Sequence, residues 1–179
     1  MDLYLIRHAE AVPSGDPNYV EDERPLTVTG HDQARALAAA LRAHGVRFDR
    51  IVTSPLPRAR QTAEELVPGL LDPNEALKEY AALAPGGRRR KLDRLLLGME
   101  ADTVALVGHE PDLGAYAARL IGSKKGQVKI AKAGVAVIHF DGPPGKKSGT
   151  LTALLTPEWL GWQSGAPAQE GPPVHGVVG

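Results

Sequence analysis

The sequence predicts an α/β fold, a three-layer sandwich in which a mostly parallel central sheet carries helices on both faces. Short apolar runs alternate along the chain with segments whose apolar residues recur at helical spacing, and such alternation builds parallel or mixed sheets. Residues 103–107 are apolar throughout their centre, which is typical of a parallel strand that is covered on both faces. No internal repeat is visible, so we expect one domain over residues 1–160.

The first part of the chain predicts two strand–helix units. The strands are short apolar runs at residues 3–6 and 50–53. Residues 11–24 are rich in proline and acidic side chains, so they predict a loop. Helical spacing of apolar residues places one helix from residue 29 or 30 to about residue 44, and a second helix over residues 57–66.

The second part of the chain predicts two more helices and three more strands. The helices are expected at residues 88–97 and 111–120, and the second begins with a proline, which is favourable in a first turn. The strands are expected at residues 103–107, 134–140 and 150–155. A polar, glycine-rich hairpin loop should join the last two strands. Residues 161–179 are rich in Gly, Pro and Ala, and predict a loose C-terminal tail.

The composition argues against several classes of function. Lys plus Arg is 21 and Asp plus Glu is 21, so the formal net charge is zero, whereas nucleic-acid binders normally carry a basic excess. The chain has no cysteine, which excludes a thiol nucleophile, a disulfide framework and a cysteine-ligated zinc site. No apolar run approaches the ~20 residues of a membrane span, and the N-terminus lacks a signal-peptide pattern. We therefore expect a cytoplasmic protein without nucleic-acid or membrane partners.

Polar clusters follow three of the predicted parallel strands. Arg7 and His8 follow the first strand, Arg58 lies just after the second, and His109 follows the third. Ligands in open α/β sheets bind at this carboxyl edge. Arginine offers a planar donor fork that matches phosphate oxygens, a neutral imidazole is a nucleophile toward phosphorus, and a second imidazole can donate a hydrogen bond. The sequence therefore predicts a site for a phosphoryl group.

These clusters resemble the motifs of a known family. The segment Leu5-Ile6-Arg7-His8-Ala9-Glu10 resembles the Arg-His-Gly/Ala signature of the histidine phosphatase superfamily, which includes the cofactor-dependent phosphoglycerate mutases. The resemblance continues, in the family's order and with similar spacing, through Arg24-Pro25-Leu26-Thr27, Gly30, residues 54–63 and Val107-Gly108-His109. The compact size and the turn after His109 are most similar to the SixA-type phosphohistidine phosphatases.

The resemblance implies a phosphoglycerate mutase-like fold and a metal-independent phosphatase without a cofactor. It implies that His8 becomes phosphorylated and that Arg7, Arg58 and His109 complete the phosphoryl pocket. The expected course is attack by His8, a covalent phosphohistidine, and hydrolysis by water. Positioning and charge stabilisation dominate phosphoryl transfer, so two arginines can serve where other enzymes use magnesium.

The leaving-group acid is left open by the sequence. Glu79 and Glu10 are the candidates for this acid. Glu79 could instead be an ordinary solvated side chain, and Glu10 could be an ordinary loop residue. Glu110 would sit beside a dianionic phosphate unless it turns away, and it could instead interact with the start of the following helix. Ser54 and Thr62 favour structural roles, in the turn and in the helix that follows it.

The substrate is also left open. A phosphohistidine on a protein is the leading candidate, because imidazole needs less help from an acid than an alkoxide does. A small phosphorylated metabolite, such as a sugar, nucleotide or cofactor-precursor phosphate, is the alternative, and a non-catalytic phosphate-binding regulatory module is the rival of another class. A mutase is disfavoured by the short chain. The basic run over residues 88–91 is a solvated helix face or a dock for an acidic phosphorylated partner.

Overall fold

A six-stranded sheet forms the centre of the molecule, in a computed structural model that describes residues 1–123 and 128–162. The strands are β1 (Asp2–Arg7), β2 (Arg50–Thr53), β3 (Lys78–Glu79), β4 (Thr103–Gly108), β5 (Val135–His139) and β6 (Thr150–Leu155). The helices are α1 (Val28–Ala43), α2 (Pro57–Leu70), α3 (Arg89–Leu97) and α4 (Asp112–Leu120), with two short 3-10 turns at Glu21–Glu23 and Ala81–Leu83. Most of the predicted tail, residues 163–179, lies outside the described residues.

The strand order is β3-β2-β4-β1-β5-β6. The first four strands in this order pair in parallel, β5 runs antiparallel to β1, and β6 runs antiparallel to β5. The prediction of a mostly parallel sheet is therefore confirmed. Arg7 lies opposite Gly108, and Thr53 lies opposite Val107. The register thus brings the carboxyl ends of β1, β2 and β4 to one edge of the sheet, where the polar clusters follow.

Helices cover both faces of the sheet, which confirms the three-layer sandwich. One apolar cluster joins the sheet to α3 and α4, and a second joins it to α1 and α2. Leu3 and Leu5 of β1 belong to the first cluster and Ile6 belongs to the second, and all three are fully buried. A strand buried on both faces has no polar face to expose, which explains the continuous apolar run at the start of the chain.

Gly30 fixes the position of α1 against the loop that carries His8. Thr27 caps the helix, because its hydroxyl oxygen accepts a hydrogen bond from the Gly30 backbone N–H at 3.0 Å. A Cβ atom on Gly30 would lie 1.9 Å from the carbonyl oxygen of Glu10. The first turn of α1 can therefore pack against the backbone after His8 only because residue 30 has no side chain.

The structure differs from the prediction in a few details. β3 was missed, because it has only two exposed residues and is defined by its pairing with β2. α2 is continuous up to Val67, close to its predicted end at residue 66, and a kink at Pro68 and Gly69 separates it from the last residue, Leu70. α4 begins at Asp112, one residue after the predicted start. Among the described residues, none of these helices is both long enough and apolar enough to cross a membrane.

Candidate active site

A cavity of about 370 Å³ lies at the carboxyl edge of the sheet. Arg7 and His8 reach it from the end of β1, Arg58 from the first turn of α2, and His109 from the turn after β4. His8, Arg58 and His109 are 8%, 4% and 3% exposed. Four residues from three distant parts of the sequence therefore line one small, largely buried space, as the strand-end clusters predict.

The backbone determines which nitrogen of His8 is free to react. His8 Nδ1 lies 2.7 Å from the carbonyl oxygen of Ala9. A carbonyl oxygen only accepts hydrogen bonds, so Nδ1 carries the proton and donates it. In the neutral ring the lone pair therefore resides on Nε2. This is the arrangement that a nucleophilic imidazole requires.

His109 is oriented by Ser54. Its Nε2 lies 2.9 Å from Ser54 Oγ, and that oxygen also accepts a weaker hydrogen bond from the Leu56 backbone N–H at 3.3 Å. Ser54 can donate its hydroxyl proton to Nε2, and a neutral His109 bonded in this way carries its own proton on Nδ1. That Nδ1 is buried and has no partner among the described residues. In the tautomer with Ser54 as donor, His109 can donate a hydrogen bond from Nδ1 to a bound group.

The two histidine rings lie close together, with ring centroids 5.1 Å apart. The pKa of His8 is lowered to about 4, chiefly by burial and in addition by the charges of Arg58, Arg7 and Lys132, while the hydrogen bond to Ala9 opposes the shift. Burial, with smaller contributions from His8 and the nearby arginines, lowers the pKa of His109 to about 3. Both rings are therefore neutral at pH 7 when the cavity is empty.

The two arginines are anchored by backbone carbonyl groups. Arg7 donates from Nη1 to the carbonyl oxygen of Ile130 at 3.1 Å, and Arg58 donates from Nη1 to that of Glu21 at 3.2 Å. The Nε–H group of each is buried without a partner in the described part of the chain. A buried donor without an acceptor costs free energy. Each guanidinium therefore retains donors for an anionic ligand.

Glu110 lines the cavity, and its carboxylate is hydrogen-bonded to the segment before β5. Its Oε1 accepts a hydrogen bond from the Ile130 backbone N–H at 2.8 Å. Because Arg7 donates to the carbonyl oxygen of the same residue, Ile130 connects the two side chains. The negative charge of Glu110 opposes the lowering of the Arg7 pKa that burial causes. Glu110 thus supports Arg7 and holds the segment before β5 in place.

The two proposed acids, Glu10 and Glu79, are not among the residues that line the cavity. The Glu10 carboxylate accepts a hydrogen bond from the Thr27 hydroxyl at 2.9 Å, so it joins the loop after β1 to the start of α1. The Glu79 carboxylate is half exposed and lies 4.0 Å from Arg60 Nη1. The structure therefore brings the histidines and arginines together and leaves both glutamates outside.

Thr62 connects the loop that carries His8 to α2. Its hydroxyl donates to the Arg58 carbonyl oxygen at 2.7 Å and accepts from the Ala9 backbone N–H at 3.0 Å. The side chain is fully buried. Thr62 therefore has the structural role that the sequence favoured, and it bears directly on the position of His8.

Sequence reasoning missed two further cations that line the cavity, Arg24 and Lys132. Arg24 is held by the Val12 carbonyl oxygen at 2.5 Å and by the carboxylate of Glu21. Lys132 lies just before β5, far in sequence from every motif. The Arg24-Pro25-Leu26-Thr27 segment was a usable signal for Arg24, whereas no local pattern identifies Lys132.

Comparison with known proteins identifies the class. The sequence model of the histidine phosphatase superfamily (branch 1) matches residues 3–91. An uncharacterized protein of Picosynechococcus sp. is 36% identical over 168 residues, which is 89% of this chain and 99% of the relative. The phosphohistidine phosphatase SixA of Escherichia coli is 30% identical over 122 residues, 67% of this chain and 74% of SixA. The chain belongs to the histidine phosphatase superfamily.

Within that superfamily the chain is a SixA-like phosphatase, a hydrolase that acts on phosphate esters. A SixA structure in complex with tungstate superposes with a TM-score of 0.73 at 24% identity, over 88% of this chain and 97% of SixA. The α-ribazole phosphatase of Shigella flexneri superposes with a TM-score of 0.68 at 21% identity, over 88% and 97% of the two chains. The adenosylcobalamin/α-ribazole phosphatase of Escherichia coli is 33% identical over 103 residues, 57% of this chain and 50% of that protein. The phosphoglycerate mutase-like fold is thereby confirmed.

Proposed function

We propose that this phosphatase removes the phosphoryl group from a phosphohistidine on a protein, through a covalent intermediate on His8. The observation that carries the proposal is the contact between His8 Nδ1 and the Ala9 carbonyl oxygen, which leaves the Nε2 lone pair free in a cavity lined by arginines. The pKa of about 4 keeps that lone pair unprotonated at neutral pH. His8 is therefore ready to act as a nucleophile without a general base.

In the first step, His8 Nε2 attacks phosphorus while the bond from phosphorus to the substrate's imidazole breaks. Arg7 and Arg58 balance the charge on the phosphoryl oxygens, and His109 donates from Nδ1. In the second step, a water molecule attacks the phosphorus of phospho-His8. The P–Nε2 bond breaks, and orthophosphate and free His8 are regenerated. The net reaction consumes one water molecule for each phosphoryl group released.

The carboxylates around the cavity favour a leaving group that needs no acid. Among the described residues, Glu21 and Glu110 are the two whose carboxylates line the cavity. Glu21 accepts hydrogen bonds from Arg24 and Ser14, and Glu110 accepts one from the Ile130 backbone. The hydrogen bonds from Arg24 and Ser14 also lower the pKa of Glu21, which disfavours the protonated acid. An imidazole that leaves with a proton on its other nitrogen needs no such acid, whereas an alkoxide does.

A small phosphate monoester is the alternative substrate. The similarity to the α-ribazole phosphatases supports it, because those relatives share the fold and their names indicate a small-molecule substrate. A phosphate-binding regulatory module remains the alternative of another class. We expect the activity to be cytoplasmic and independent of added metal. In the described part of the chain, no group of three or more His, Asp or Glu side chains is placed to hold a metal ion.

The test is phosphate release in the presence of EDTA. The substrates are a phosphohistidine-bearing protein and a panel of small esters that includes α-ribazole phosphate. His8→Ala is the inactive variant, and His44→Ala, at an exposed residue that caps α1, is the matched control. We expect rapid release from the protein by the wild type and by His44→Ala, and a loss of at least about 10³-fold in His8→Ala. Turnover of one small ester with the protein untouched would instead assign the enzyme to small-molecule metabolism, and release from no substrate would favour the regulatory module.

Inhibition by an oxyanion provides a second test of the same pocket. The SixA relative was determined in complex with tungstate. We expect tungstate to compete with substrate here, because Arg7 and Arg58 retain unpartnered donors. Arg58→Lys should weaken the inhibition, since an ammonium group lacks the planar fork.

A further inference from the structure

A second and larger space opens beside the catalytic cavity. This groove has a volume of about 970 Å³ and runs along α4. It shares two lining residues, Arg7 and Glu110, with the catalytic cavity. A substrate whose phosphoryl group enters the cavity would therefore have its neighbouring atoms at the entrance of the groove.

The groove is strongly cationic, although the chain as a whole has no net charge. Among the described residues, six arginines and lysines line the groove and a single carboxylate does, that of Glu110. The cations are Arg7, Arg89, Arg119, Lys129, Lys146 and Lys147. Glu110 already accepts the hydrogen bond from the Ile130 backbone N–H. Positive side chains therefore outnumber negative ones along this groove beside the catalytic cavity, which favours an anionic ligand.

Two buried donors in the groove point to the same kind of ligand. The Nε–H groups of Arg7 and Arg119 are both buried without a hydrogen-bond partner among the residues described. Arg119 is held from its other side, where its Nη2 donates to Asp93 at 2.5 Å. The salt bridge to Asp93 holds the Arg119 side chain in place, and its Nε–H has no acceptor within the described part of the chain.

The form of the groove favours an extended ligand with several separate charges. Its floor is made of small residues of α4 and the turn that follows, Gly114, Ala115, Ala118 and Gly122. Its cations come from different segments of the chain, and Arg89, Lys129, Lys146 and Lys147 are exposed. A compact phosphate would require these cations to converge, whereas a peptide with spaced carboxylates would not.

We propose that this groove binds an acidic segment of a phosphoprotein substrate. Aspartate and glutamate side chains on the segment pair with the cations, while its phosphohistidine enters the catalytic cavity. Arg89 belongs to the basic run at residues 88–91, so one member of that run has a role in docking. The inference rests on the proposed function, since it assumes that the substrate is a protein.

The experiment compares three substrates that share one phosphoryl donor: a phosphohistidine peptide flanked by Asp and Glu, its counterpart flanked by Asn and Gln, and free phosphohistidine. The test variant is Lys129→Glu/Lys146→Glu, which reverses two exposed groove cations outside the catalytic cavity. The control is Arg47→Glu/Lys78→Glu, which makes the same change in net charge at exposed residues outside the groove.

We expect the test variant to lower kcat/KM for the acidic peptide about tenfold or more, mainly through KM, and to leave free phosphohistidine unchanged. Raising the ionic strength from about 0.01 M to about 0.15 M should weaken the wild type's preference for the acidic peptide. An equal loss in the control variant, an equal loss on free phosphohistidine, or no preference for the acidic peptide would each overturn the inference. Hydrolysis of both peptides at equal rates would leave the proposed function intact, and hydrolysis of no phosphohistidine would overturn both.

Discussion

Ser54 and His109 are joined by a hydrogen bond of 2.9 Å between Oγ and Nε2, although 55 positions separate them in the sequence. The contact follows from the sheet. β2 and β4 are parallel neighbours, and Thr53 lies opposite Val107. The residues just beyond these two positions therefore meet at the carboxyl edge, where Ser54 can determine which nitrogen of His109 carries the proton.

Replacing Ser54 with Ala should impair catalysis more than binding. The variant removes Ser54 Oγ, the hydrogen-bond partner of His109 Nε2, so the ring is no longer held in the orientation and tautomer that this contact favours. A hydrogen bond of this kind contributes about 1 kcal/mol, which corresponds to a loss of about five- to tenfold in kcat. Steady-state kinetics of Ser54→Ala measure the loss. Ser54→Thr keeps the hydroxyl and should recover most of the rate; failure of both variants to the same extent would contradict the role of the hydroxyl.

Replacing Thr62 with Val should lower both stability and activity. The fully buried hydroxyl bonds to the Arg58 carbonyl oxygen and to the Ala9 backbone N–H. Valine leaves the Ala9 backbone N–H without its acceptor, at a cost of about 1–3 kcal/mol, whereas the Arg58 carbonyl oxygen can still accept the helical hydrogen bond from the residue 62 backbone N–H. Urea unfolding measures the loss of stability, and steady-state kinetics measure the loss in kcat. Thr62→Ser keeps the hydroxyl group and is the conservative control. Normal stability and activity in Thr62→Val would show that this hydroxyl does not position the His8 loop.

Adding a methyl group at Gly30 should destabilise the fold. The Cβ of an alanine would lie 1.9 Å from the Glu10 carbonyl oxygen, and backbone cannot yield as a flexible side chain can. We expect a loss of about 1–3 kcal/mol in the free energy of unfolding. Gly142→Ala is the matched control, because nothing lies within 4 Å of a Cβ at that position. Equal stability of the two variants would contradict the close packing of α1 against the His8 loop.

The buried histidines predict how stability depends on pH. The pKa of His8 falls from 6.5 to about 4 on folding, so between these values the unfolded chain binds more protons than the folded chain. The free energy of unfolding therefore decreases as the pH falls from about 6.5 toward 4. A shift of this size corresponds to about 3 kcal/mol for one histidine. The pKa of His109, lowered to about 3, acts in the same direction.

Urea unfolding at pH 7 and at about pH 4.5 measures this dependence. His8→Gln removes one of the two shifted groups, so the loss of stability on acidification should be smaller in that variant. His44→Gln, at an exposed residue, should behave as the wild type does. An unchanged pH dependence in His8→Gln would mean that His8 is not buried in the neutral form.

Much of the fold could be predicted because β1 and β4 are buried on both faces. Such strands appear in sequence as short continuous apolar runs, and the helices between them show helical spacing. β3 could not be predicted in this way, because its two residues are exposed and only pairing with β2 defines it. The end of the regular part of α2 could be predicted, because Pro68 and Gly69 leave helical geometry just after the predicted last residue.

The histidines and arginines of the site could be predicted because they follow directly on parallel strands, whose carboxyl ends share an edge. The contacts that orient these histidines and arginines could not be predicted from the sequence. The bond from Thr62 to Ala9 and the approach of Lys132 to the cavity depend on how distant segments pack. For Glu10 and Glu79 the residue type was misleading. A glutamate can act as an acid, but neither residue is among those that line the cavity.

The central claim is that His8 Nε2 carries the phosphoryl group during turnover. The direct measurement is a rapid-quench experiment with a ³²P-labelled phosphohistidine protein at excess enzyme, followed by peptide mapping. We predict a transient label on the peptide that contains His8, stable in alkali and lost in acid, present in His44→Ala and absent in His8→Ala. Phosphate release by the wild type without any label on His8, or equal labelling in His8→Ala, would contradict the account.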